Sequence, residues 1–133
     1  MVIHVYSVLI KMDLIDVIDL YAALPETVEE TPFGPDVLVY KVCGKMFATA
    51  SPDEVPARIN VKCDPEKAVE LREKYESILP GYHMNKKHWN TILLNGGVPQ
   101  ELLKELIKHS YQLVVKGLKK EDKERLLLRI DSE

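Results

Sequence analysis

Cysteine is scarce in this chain: Cys43 and Cys63 are the only two among 133 residues. Neither lies in a C-x-x-C or Cys/His cluster, which argues against a disulfide scaffold, a zinc site or a redox motif. Both follow apolar, strand-like residues, and both are expected in the core as small hydrophobes. Basic charge is not in excess either. Eighteen Lys and Arg stand against 21 Asp and Glu, a net charge of −3. That excludes a strongly basic nucleic-acid binder but leaves room for a local basic patch. No run approaches the roughly 20 apolar residues that cross a bilayer. The opening ten residues are apolar, but they lack a charged n-region and a small-residue cleavage site, so the expected location is the cytoplasm, with no membrane partner. Enzyme signatures are missing: there is no G-x-S-x-G, G-x-x-x-x-G-K-[ST] or G-x-G-x-x-G. A Cys–His nucleophile from Cys43 or Cys63 with His88 or His109 is disfavoured, because free cysteines are usually inert core residues. No enzymatic activity and no cofactor are expected.

What is present is ordinary globular composition, 46% hydrophobic and 29% charged. At this length one domain can build one core. Residues 1–11 show no clear helical period and are read as an N-terminal extension; residues 12–130 are read as the domain. From residue 12 to 23 the period is helical, with Leu14, Ile15, Ile18, Tyr21 and Ala22 on one face. Pro25 ends that helix, and residues 26–35 are expected to form a loop. Residues 36–42 and 45–50 form strands around a tight turn at Cys43-Gly44. Residues 58–63 form a third strand, with Arg58, Asn60 and Lys62 on one face and Ile59, Val61 and Cys63 on the other. Asp64-Pro65-Glu66 opens a helix that stops near Pro80. A strand follows from Trp89 to Leu94, then a turn at Asn95-Gly96-Gly97. Pro99 opens the longest helix, with Gly117 as its cap, and a charged amphipathic helix covers residues 119–130. Strands on short turns are antiparallel, so the expected class is α+β, with helices packed on one face of a sheet.

Three stretches carry a family resemblance. They are Pro32-Phe33-Gly34-Pro35 leading into Asp36-Val37-Leu38-Val39-Tyr40-Lys41-Val42, then Arg58-Ile59-Asn60-Val61-Lys62-Cys63-Asp64-Pro65, then Pro80-Gly81-Tyr82-His83-Met84-Asn85-Lys86-Lys87-His88-Trp89-Asn90-Thr91. The chain resembles the MmcQ/YjbR family from about residue 12 to 118, and the H-x-N-K-x-H-W run is the most specific part. The resemblance implies a CyaY-like (frataxin-like) two-layer fold. It also implies DNA binding, through a double-wing arrangement of the sheet, and brings no catalytic activity.

The residues suit that implication. Residues 77–100 contain no acid and hold Lys86, Lys87, His83, His88, Asn85, Tyr82 and Trp89. Cations and amide donors can meet phosphate oxygens, and aromatic faces can stack. Lys41, Lys45, Arg58 and Lys62 on the strands would extend the surface. The expected nucleic-acid contacts are therefore Lys41, Lys45, Arg58, Lys62, Asn85, Lys86, Lys87 and His88, on a monomer or weak oligomer. The alternative is a protein-interaction or small-ligand module with a pocket at Tyr82, His83 and Trp89. A third possibility follows by analogy to frataxin-like proteins, whose acidic first helix binds iron: Asp13, Asp16 and Asp19 could hold a metal weakly. Against it, such runs usually only solvate a helix face, so no metal site is assigned.

Overall fold

In the computed structural model, residues 12–131 are described; the extension at residues 1–11 lies outside them. In chain order the elements are α1 (Leu14–Ala23), β1 (Thr27–Glu30), β2 (Leu38–Val42), β3 (Lys45–Ser51), β4 (Arg58–Lys62), α2 (Pro65–Lys74), β5 (Ile78–Pro80), β6 (Trp89–Leu93), α3 (Gln100–Lys116) and α4 (Lys120–Asp131). The strands form one antiparallel sheet in the order β1-β2-β3-β4-β6-β5. This is α+β, as the sequence predicts.

Local chemistry explains most of the element ends. Asp13 caps α1 reciprocally with Asp16, each carboxylate accepting the other's backbone N–H at 2.9 and 3.1 Å. Asp64 caps α2 through Glu66 N, with Pro65 at the first helical position. Cys43 (φ 48°) and Gly44 (φ 78°) are both left-handed, as a two-residue turn of the twisted β2–β3 hairpin requires. That turn leaves Cys43 exposed, against the expectation of a core thiol, while Cys63 is buried as expected.

Two edge strands escape the sequence reading. The 26–35 segment contains β1, whose burial shows no alternation because three of its four residues face water. The helix after Asp64 ends at Lys74, and the chain then forms β5. Pro80 fits there because an edge position needs no N–H on its outer side. The α1 stripe is also rotated from the prediction. Val17 and Tyr21 are fully buried, whereas Ile15 is 68% exposed. Gly117 caps α3 at φ −89°, without the left-handed turn.

All four helices pack on one face of the sheet. Phe47 is the hinge of this layer: its ring meets Tyr111 of α3 edge-on at 5.2 Å and Tyr21 of α1 at 5.9 Å. A bulge aims it there. Tyr40 pairs with Ala48 and Lys41 with Met46, so Phe47 is the extra residue of β3. The β3–β4 pairing accordingly stops at Ala48 and Val61. Ser110 of α3 fills the gap. Its hydroxyl accepts from Lys62 N at 2.7 Å and donates to Phe47 O at 2.6 Å. Replacing Ser110 by Ala strands a backbone donor and acceptor around a fully buried position. We expect Ser110→Ala to cost roughly 1–3 kcal/mol, read as a lower urea midpoint at unchanged m-value. A loss below ~0.3 kcal/mol would show that the bridge is dispensable.

Candidate functional site

The face of the sheet away from the helices holds the site. Antiparallel partners share a face, so the register fixes what stands there. Glu30, Val39, Thr49, Asn60, Thr91 and Leu79 lie opposite one another across all six strands. The centre of this row is a hydrogen-bonded ladder. Asn60 Nδ2 donates to Thr49 Oγ1 at 3.1 Å, and Thr91 Oγ1 donates to Asn60 Oδ1. Thr91 Oγ1 in turn accepts from Tyr82 N at 2.9 Å. Thr49 and Thr91 are 4% and 1% exposed, so these polar groups are buried on a face that no helix covers.

What covers them are two loops. The 82–84 segment sits above one side and Phe33 above the other, and between them lies a cavity of about 570 Å³. Thr49 and Asn60 are in its floor, beside Met46 and Arg58. Tyr82, His83, Met84, Phe33 and Val37 supply the apolar and aromatic walls, and Asp36, Asp53 and Glu54 bring carboxylates to the rim.

The roof over β6 is held by close backbone contact. Gly81 N donates to Trp89 O at 2.9 Å, and a Cβ on Gly81 would meet Trp89 Cβ at 2.8 Å. Only glycine allows this approach. Two residues on, His83 takes φ 59°, a left-handed conformation uncommon for a side chain of this size. Its ring lies 4.0 Å from that of Tyr82.

The expected pocket residues Tyr82 and His83 therefore line a pocket, while Trp89 does not: it is buried under Gly81, opposite Lys62. Of the expected nucleic-acid residues, Lys41, Arg58 and Lys62 stand on the uncovered face of the sheet. Lys41 is paired with Glu30 at 2.9 Å and Arg58 with Glu54 at 3.9 Å. Arg58 and Lys62 are four residues apart on β4, roughly 13 Å. Lys45 lies opposite Val42, a core residue, and so belongs to the other face. The 85–88 residues are largely occupied with their own loop. Asn85 Oδ1 accepts from Lys87 N at 2.9 Å, Lys86 Nζ donates to Gly81 O at 3.0 Å, and His88 O accepts from Cys63 N at 2.8 Å. Arg72 of α2, which no sequence pattern singles out, clamps this loop by donating to Lys86 O and Asn90 Oδ1.

The other candidates take part in local structure. Asp13 and Asp16 are engaged in the helix cap, and no group of three metal-ligating side chains occurs among the described residues. Burial raises the pKa of the Cys63 thiol and lowers that of His109, so neither resembles an activated nucleophile–base pair. His109 Nε2 instead accepts from Asp64 N at 3.3 Å.

Fold and site together define an α+β domain with one covered and one ligand-accessible sheet face. The YjbR family model matches residues 22–113, and the chain belongs to the YjbR family. It is 44% identical over 95 residues to the uncharacterized Escherichia coli protein YbdF, spanning 71% of this chain and 78% of that one. It is 36% identical over 93 residues to uncharacterized Bacillus subtilis YyaQ, spanning 70% and 75%. The crystal structure of Deinococcus radiodurans protein DR2400, a DUF419 domain, matches with a TM-score of 0.79 at 42% identity over 86% of this chain and 87% of that one. A Pseudomonas syringae protein matches with a TM-score of 0.68 at 33% identity, over 77% of this chain and 98% of that one. Among the described residues no helix is long and apolar enough to cross a membrane.

One electrostatic feature of the rim is testable directly. The Asp53 carboxyl hydrogen-bonds the Asp36 carboxyl, and this contact and the like charge hold its pKa above the usual aspartate range. A raised acid binds more protons folded than unfolded, so the repulsion is absent at low pH and costs stability as pH rises through the folded pKa of Asp53. Carboxyl NMR titration should place Asp53 above ~3.9, and Asp36→Asn should bring it back. An unshifted Asp53 in the native chain would separate the two carboxylates.

Proposed function

We propose that this protein is a non-catalytic binding module whose ligand is a small molecule seated in the pocket between Phe33 and the 82–84 loop. The observation that carries this reading is the buried ladder in the pocket floor. Polar groups are rarely buried without a use for each donor and acceptor. Here Thr49 Oγ1 accepts from Asn60 Nδ2, and beside them the buried Arg58 Nε has no hydrogen-bond partner among the described residues. A donor at the base of a largely apolar cavity, with a few polar groups converging, is the usual form of a small-ligand site.

Amide NMR with a fragment library tests the proposal. Hits should cluster on the Thr49, Asn60, Tyr82 and His83 signals. Met46→Trp, which fills the floor, should abolish them while the spectrum remains dispersed. Hits clustered elsewhere, or indifferent to Met46→Trp, would remove the pocket from the function.

A narrower polyanion reading stands second. Lys62, Lys86 and Lys87 form no ion pair among the described residues, so their charges are available to phosphates. Against a wider footprint, Asp36, Asp53 and Glu54 share the uncovered face with Lys62 and would repel a duplex laid across it. A labelled DNA duplex titrated at two salt concentrations separates the readings. If the lysines touch phosphate, Lys86→Ala with Lys87→Ala weakens binding and lowers the salt slope by about two. Unchanged binding would free both from any such contact.

A further inference from the structure

Building on the pocket just described, we infer that its ligand is an organic cation: an amine or guanidinium carried on a flat, apolar body. Three independent features of the rim and walls converge on that chemistry.

The first is charge. Asp36, Asp53 and Glu54 line the cavity against one permanent cation, Arg58, whose Nε lies 3.9 Å from Glu54 without hydrogen-bonding it, and against the imidazole of His83. The cavity is therefore acidic beyond the chain's own mild imbalance. Asp36 and Asp53 both line this cavity, and neither forms an ion pair among the described residues. A positive group placed there would relieve their repulsion as well as gain its own attraction.

The second is the walls. Phe33 and Tyr82 are 71% and 58% exposed, large apolar surfaces left facing water at the cavity mouth. Aromatic faces attract cations, and they also stack on flat ligands. Met46 and Met84 add soft surface that adapts to a ligand's shape.

The third feature separates an organic cation from a metal ion. The three carboxylates do not converge as a metal-ligating group. A bare ion would find charge here without a coordination shell. An extended cation reaches the carboxylates with one end and the aromatic walls with the other. A hydrogen-bond acceptor on its body would meet Arg58 Nε, which has no hydrogen-bond partner among the described residues.

The test uses three shape-matched probes, 2-phenylethylamine, 2-phenylethanol and phenylacetate, with the full chain followed by amide NMR. We expect the amine to bind most tightly, roughly three- to tenfold better than the alcohol, as partly exposed ion pairs and cation–π contacts allow. Added salt should narrow that gap. Asp36→Asn with Asp53→Asn should bring the amine's affinity down to that of the alcohol measured on the same variant. Both side chains are exposed, so the variant is expected to fold. If the alcohol or phenylacetate binds as well as the amine, the cation assignment is overturned and the pocket survives. If none of the three perturbs the pocket signals at about 10 mM, the range expected of so small a ligand, the pocket falls with it.

Discussion

One hydroxyl stands at the centre of this architecture. Ser110 reaches from α3 into the sheet and completes the pairing that the β3 bulge interrupts. Without the bulge, Phe47 would not turn into the helical layer, and the Tyr21–Phe47–Tyr111 stack would lose its middle ring. The same bulge sets the register on the other face. It places Met46 opposite Lys41 and leaves Thr49 opposite Asn60. One irregularity thus organises both the core and the pocket floor. It is tolerated because its two freed backbone groups are satisfied by a side chain rather than by water.

The pocket itself results from an imbalance between layers. The helices cover one face and leave the other to two loops, each too short to close it. Buried polar groups in that floor are costly unless linked, and the Thr49–Asn60–Thr91 ladder links them, extending to the backbone of Tyr82. The ladder holds the roof and the floor in one network. Around it, Lys41 pairs with Glu30 and Arg58 stands 3.9 Å from Glu54, while Asp36 and Asp53 form no ion pair among the described residues.

Much of the fold was legible in the chain. Asp64-Pro65-Glu66 announces its helix, and Cys43-Gly44 its turn, because capping and left-handed geometry are written in one or two residues. Edge strands β1 and β5 were not legible. An edge strand buries little, so it has no alternation to read, and a three-residue strand is shorter than any periodic signal. The rotation of α1 that exposes Ile15 and buries Val17 was decided by packing against Tyr40 and Phe47, which no helical wheel contains. The candidate site divides the same way. Tyr82 and His83 were visible as a local cluster. Thr49, Asn60 and Thr91 lie 11 to 42 positions apart and meet only through register. Their one signal was a polar residue at the middle of each apolar strand. Which carboxylate stands beside each basic residue was not legible either, because sequence proximity says nothing of what lies across the sheet.

The contact of Gly81 with Trp89 has a consequence for how anything enters the pocket. With no side chain between them, the roof and β6 cannot slide apart without breaking a backbone hydrogen bond and uncovering the indole. The mouth on that side is a fixed aperture rather than a closing jaw. A guest of the proposed kind would meet a cavity already formed on that side, so selection would fall on its outline, and little ordering entropy would be lost when it arrived.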